Sequence, residues 1–166
     1  MGLGKQHVFQ FFYGKVKLCQ IQQKRWVVYL STSGNTKVIS DAIANGISEQ
    51  NVEATSISFY DVKLEDLKAT DAIAVGSSTF HYKILPPMEK FIDEVPANSD
   101  VKGKLAAAFG SYGWSDEAPI LIAEKLRNLG MNVIDPVLRI QYKPIDRDIK
   151  EAERLGMDIA EKLKNA

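Results

Sequence analysis

Five apolar runs of strand length recur along this chain, at residues 25–30, 52–59, 71–76, 104–110 and 132–140, and each is followed by a helical pattern. That alternation restricts the fold more than any single motif, because parallel neighbours need crossovers and helical crossovers cover both faces of a sheet. The predicted architecture is therefore α/β, a parallel sheet with helices on both faces. Ile39, Ile43 and Ile47, with Ala42 and Gly46, form the apolar stripe of a helix over 37–50. Ile122, Leu126 and Leu129 do the same for a helix that begins near Asp116 and is capped by Gly130. Ile149, Ala152, Leu155, Ile159 and Leu163 mark the last helix. Between the third and fourth strands, Pro86 and Pro87 start a helix that turns Met88, Phe91, Ile92 and Val95 to the core, and Pro96 is expected to end it.

Residues 1–24 stand outside the alternation. They carry Lys5, Lys15, Lys17 and Lys24 with no carboxylate, so the remainder of a chain with 21 basic and 21 acidic residues is acidic by those same four charges. We treat 1–24 as an extension and 25–166 as one domain, which 166 residues are enough to form around a substantial core. A hairpin around Tyr13-Gly14 is one reading of the extension; a docking or dimerisation arm, suggested by the aromatics from Phe9 to Tyr13, is another, and a disordered leader a third. Overall charge balance gives no reason to expect nucleic acid. The single Cys19 excludes an internal disulfide and suits a reducing cytoplasm, and no apolar stretch reaches membrane-spanning length.

The chemistry is expected in the loops at the carboxyl ends of the strands, where ligands sit in open sheets of this kind. Ser31, Thr32, Ser33, Gly34, Asn35 and Thr36 lie between the first strand and the first helix. Hydroxyls, a glycine and the unpaired N–H groups of a helix start together suit a phosphate. The plainer reading is a helix cap at Asn35 or Thr36. Neither the spacing of a nucleotide triphosphatase loop nor a Gly-x-Gly-x-x-Gly fingerprint is present, so a phosphate monoester fits better. The third and fourth strands run into Ser78, Thr79, Phe80, His81, Tyr82 and Lys83, and into Ser111, Tyr112, Gly113 and Trp114. Aromatics among small polar residues at such an edge suit a flat ring system, or else fold back over the core.

Residues 25–164 resemble a flavodoxin, in particular the flavodoxin domain of the flavodiiron, or A-type flavoprotein, family. The phosphate loop has its counterpart in 31–36. The family's Gly-Ser-Pro-Thr stretch leading to Ile-Leu-Pro-Pro has its counterparts in 76–79 and 84–87. Its Gly-Ser-Tyr-Gly-Trp-Ser stretch is matched unchanged by 110–115. The resemblance implies a flavodoxin-like three-layer sandwich with five parallel strands in the order 2-1-3-4-5. It also implies FMN, with its phosphate on the first loop and its ring between the other two, Trp114 being the first choice to stack on it.

Two departures stand out. Ser78 replaces the family's usual Pro, and His81-Tyr82-Lys83 replaces a run of Asn-Asn-Gly. Lys83 or His81 would then place positive charge near the flavin, favouring its anionic reduced form. Only His7 and His81 are present, so there is no diiron site and no metal site is assigned. The implied function is electron transfer between redox partner proteins, with acidic residues such as Asp116 and Glu117 steering a basic partner. No catalytic residue is assigned, and a homo-oligomer remains open. The alternative is an NAD(P)H-dependent quinone-type oxidoreductase on the same fold; a receiver-like signalling module is disfavoured because the first strand lacks an acidic pair.

Overall fold

The computed structural model describes residues 24–98 and 100–166, so the readings of a hairpin or arm within 1–23 lie outside the described residues. Strand β1 (Arg25–Leu30) leads into helix α1 (Asn35–Glu49), then β2 (Ala54–Ser58) and a 3-10 helix (Leu64–Ala69). Strand β3 (Ala72–Ser77) is followed by a short hairpin of β4 (Thr79–Phe80) and β5 (Lys83–Ile84), then by α2 (Pro86–Asn98). Strand β6 (Leu105–Tyr112), helix α3 (Glu117–Asn128), short strands β7 (Asn132–Val133) and β8 (Leu138–Gln141), and helix α4 (Asp146–Lys164) complete the chain.

The sheet runs β2-β1-β3-β6-β7, with β8 also pairing with β6, and every pairing in it is parallel. This is the expected winding, with the fifth strand in two pieces. Residues 132–140 do not form one strand: the Ile134 N–H still donates to the Ala106 carbonyl of β6 at 2.8 Å, but 135–137 leave the ladder, where Pro136, having no N–H, cannot contribute a rung. A second departure concerns α2, which continues to Asn98 instead of ending at Pro96. A proline in a last turn forfeits a single backbone bond, which is a small loss where the ladder is ending anyway.

Alternate residues of β1 serve opposite faces, as period-two geometry requires. Val28 and Leu30 join a core with Ile73, Met88, Ile92 and Ile122 under α2 and α3. Val27 joins another with Ile39, Ile43, Phe109 and Leu155 under α1 and α4. The helices α1 and α4 approach so closely that a Cβ added at Gly46 would lie 2.0 Å from the Glu153 carbonyl oxygen, and one at Gly156 2.1 Å from that of Ile43. At the start of the strands, Arg25 bridges to Asp71 at 2.8 Å and ties β1 to β3. The chain thus enters at one edge of the sheet, and the loops after β1, β3 and β6 gather at the other, where the winding reverses.

Candidate functional site

Three hydroxyls hold those loops together. The Thr36 hydroxyl lies 3.0 Å from that of Ser78 and 2.9 Å from that of Ser111, and the latter two are 3.4 Å apart. Thr36 is fully buried and Ser111 nearly so. Buried hydroxyls are retained where they satisfy one another, and here each comes from a different segment: the first turn of α1, the residue after β3, and the end of β6. Ser78 therefore has a definite structural use where the family's usual proline would have no hydroxyl. Ser77, also buried, accepts the Leu85 N–H at 3.3 Å and fixes the far end of the hairpin.

The first loop is built differently from a capped helix. Gly34 occupies the capping position of α1 with φ +87, and no side chain caps the helix. The Gly34 N–H donates to the Ser31 hydroxyl at 3.0 Å, and the next helical bond is from Val38 N–H to the Gly34 carbonyl at 3.1 Å. The N–H groups of Asn35, Thr36 and Lys37, in the first turn, have no carbonyl four residues back to receive them. Thr32 and Ser33 are exposed, and a Cβ at Gly34 would meet no protein atom within 4 Å. The conformation, rather than crowding, is what requires glycine there. Lys37 is held by Asp41 at 2.6 Å, whose hydrogen bond and then charge raise the lysine pKa; its cation is already engaged beside the loop.

Across the edge, Thr79, Phe80, His81, Tyr82, Gly113, Trp114 and Ser115 line a cavity of about 410 Å³. His81 and Tyr82 have φ of 48 and 62, so the β4–β5 hairpin turns on two left-handed residues, neither of them glycine. That is the backbone sign pattern of a type I′ turn. Phe80 meets the His81 ring edge-on at 4.2 Å between centroids. Trp114 is 97% exposed and Tyr82 69%. Ala118 N–H donates to Thr79 Oγ1 at 3.2 Å, which joins the hairpin to α3.

The predicted residues therefore separate by position. Ser31 to Gly34 form an open loop and Asn35 starts α1, Thr36, Ser78 and Ser111 form the buried hydroxyl knot, and Thr79 to Tyr82 with Gly113 and Trp114 line the cavity. Lys83 pairs with Phe80 in the hairpin but is exposed and outside the cavity lining. Tyr112, half-buried at the end of β6, is also outside it. The sequence reading missed Ser115 in the lining and the support under Gly113. Gln141 donates to the Gly113 carbonyl at 3.0 Å, and the Tyr142 ring would stand 3.7 Å from a Cβ there. Nothing local marks Gln141, the last residue of β8, or Tyr142 after it, since that strand lies away from the reversal point. Asp116, expected to steer a basic partner, is instead paired with Arg139 at 2.6 Å.

The donor set fits FMN. An uncapped helix start with exposed hydroxyls is a place for a phosphate, and an aromatic-lined cavity on the same edge is a place for a flat ring.

The comparisons point the same way. The model of the flavodoxin family matches residues 27–156. A flavodoxin of Clostridium beijerinckii is 31% identical, over 84% of this chain and 98% of its own. A "Putative diflavin flavoprotein A 3" of Synechocystis sp. is 32% identical over 84% of this chain. The chain spans only about a quarter to a third of the length of the diflavin and flavo-diiron relatives it matches. Among solved structures, one described as a flavodoxin from the domain Archaea is 65% identical, with a TM-score of 0.83, over 86% of this chain and 99% of that one.

Proposed function

The chain belongs to the flavodoxin family, whose cofactor is FMN, and from that premise we propose that it is an electron carrier passing electrons between redox partner proteins in a reducing cytoplasm. One observation carries the reading. The uncapped start of α1 and the aromatic cavity lie on one edge, and the Thr36–Ser78–Ser111 knot fixes their separation.

The residues divide the work. The N–H groups of the α1 first turn and the hydroxyls of Thr32 and Ser33 would hold the phosphate, favoured by the positive end of the helix. Phe80, Tyr82 and Trp114 would cover the ring and keep water from its faces, while Thr79 and Ser115 offer polar contacts at the lining. When bound, FMN supplies the reversible uptake and release of electrons. Lys83 brings positive charge to the hairpin beside that site.

Purified protein should be yellow and should release FMN on denaturation. Titration of the apoprotein should quench FMN fluorescence with one-to-one stoichiometry. Colourless protein that leaves added FMN fluorescent overturns the reading. Steady NAD(P)H oxidation by the pure protein would favour the quinone-type oxidoreductase instead.

A further inference from the structure

Strands β6 and β8 run side by side up to Tyr112 and Gln141, which are partners in the register. The last backbone rung is the Tyr142 N–H donating to the Tyr112 carbonyl at 2.7 Å. Tyr142 then takes φ 62, a left-handed conformation that breaks the strand. One more bond is made all the same. The Gln141 side-chain amide donates to the Gly113 carbonyl at 3.0 Å and so extends the pairing by a residue that the backbone no longer serves.

That bond sets the direction of two N–H groups. Successive carbonyls of an extended strand point to opposite sides, but those of Tyr112 and Gly113 are both turned to β8. Both belong to trans peptides, in which the next N–H points the other way, so the N–H groups of Gly113 and Trp114 both turn away from β8. Among the described residues neither has a hydrogen-bond partner. Gly113 and Trp114 line the cavity while Gln141 and Tyr142 do not, which places the two donors on the cavity side of the loop. Adjacent N–H groups turned the same way form a concavity that favours negative charge.

We propose that Gln141 is a positioning residue for the redox poise of the cofactor: by holding the Gly113 carbonyl it keeps both donors fixed at the cavity wall, where they favour reduced over oxidised FMN. The inference rests on reading the chain as an FMN electron carrier. Two electrons and one proton, the electrons coming from the carrier's redox donor, convert a neutral ring to one bearing a single negative charge. Fixed N–H dipoles attract that charge and have little to attract before it arrives. Gln141 itself stays outside the cavity lining and acts through the loop. Without its bond the peptide between Gly113 and Trp114 can rotate, which glycine makes easy, and one donor of the pair is lost.

The FMN-loaded protein and its Gln141→Met variant decide the matter. Gln141 is exposed, so the change leaves the core intact and removes the donor. Oxidised FMN, titrated by fluorescence, should bind the variant within about threefold of the wild type. Reduced FMN should bind about tenfold more weakly, which lowers the midpoint potential, read against a reference dye, by about 30 mV for a two-electron couple. Gln141→Lys keeps a donor on a side chain of similar length, and in about 500 mM NaCl, which screens the added charge, it should bring the reduced-form affinity back to within about threefold of the wild type. In apoprotein NMR the Gly113 and Trp114 amide signals should shift and broaden in Gln141→Met, while those of Thr36, Ser78 and Ser111 stay in place. An unchanged potential overturns the proposal, and so does equal weakening of both redox forms, which marks a bond that only supports the fold. A lysine variant that behaves like the methionine one overturns it too, as do undisturbed Gly113 and Trp114 signals. If the wild type binds FMN in neither form the carrier reading falls, and the amide signals still decide whether Gln141 holds the loop.

Discussion

Thr36 is the residue on which the site's geometry turns. Its hydroxyl is the only one within 3.0 Å of both other members of the knot, and it is wholly buried. Thr36→Val keeps the shape and removes both bonds, leaving the Ser78 and Ser111 hydroxyls poorly satisfied at a cost of about 1–3 kcal/mol. Urea denaturation should register that loss, and FMN affinity should fall because the loops are no longer held in register. At the hairpin the effects should oppose one another. Tyr82 holds φ 62 without being glycine, and Tyr82→Gly relieves that conformation, raising apoprotein stability by about 0.5–1 kcal/mol after the added unfolded-state entropy. The same change removes an aromatic from the cavity lining and should weaken FMN binding. A melting temperature that falls would show that the Tyr82 ring contributes more than its backbone costs. Lys83 is exposed and outside the lining, so solvent screens its charge; Lys83→Gln should leave the midpoint potential within about 30 mV. A larger shift would restore the direct Coulomb role expected from sequence.

Elements were legible where a period repeats and illegible where contacts decide. The stripe of Ile39, Ile43 and Ile47 identifies α1 because it follows from helix geometry alone, and the apolar β3 is plain because both its faces are covered. The hairpin of β4 and β5 has two residues per strand and no glycine in its turn, so neither alternation nor turn chemistry announced it. Pro136 marks the break between β7 and β8, but that the chain resumes pairing at Leu138 opposite Phe109 depends on β6, a long-range property. The loops that would hold the ligand could be placed from their composition; that Thr36, Ser78 and Ser111 bond to one another could not, since they lie far apart in the chain. Helix packing gives a firm test of the same kind. Gly46→Ala puts a methyl group against the backbone carbonyl of Glu153, which no side-chain rotation relieves. It should destabilise by about 3 kcal/mol or more, read from chemical denaturation, although alanine favours an isolated helix. Between α3 and α2, Lys125 lies 2.8 Å from Asp93 and 3.4 Å from Glu89, and hydrogen bonding to Asp93 is the main cause of its raised pKa. Because the folded value is above the ordinary 10.5, this contribution is full below that pH and fades as pH rises through the folded value. For so accessible a pair it should amount to a few tenths of a kcal/mol, seen as a difference between wild type and Lys125→Met that vanishes in strong alkali.

At the scale of the molecule the two edges of the sheet do different things. The strand starts are bound together: Arg25 meets Asp71, the Thr70 hydroxyl donates to the Lys24 carbonyl at 2.6 Å, and the Lys104 ammonium donates to the carbonyls of Leu67 and Lys68 at 3.0 Å. The strand ends carry the open loops and the cavity. No helix among the described residues is long and apolar enough to cross a membrane. Residues 1–23 join the domain at Lys24, on the bound edge, with the full length of β1 between that point and the first loop. A protein lacking residues 1–23 should keep its FMN affinity, and its stability should change by no more than about 0.5 kcal/mol. Fluorescence titration and denaturation measure both on the same preparation, and sedimentation of the two lengths side by side tests whether the segment joins copies. Loss of FMN binding on truncation would mean that the segment reaches around the sheet to the loops, and the separation of the two edges would have to be abandoned.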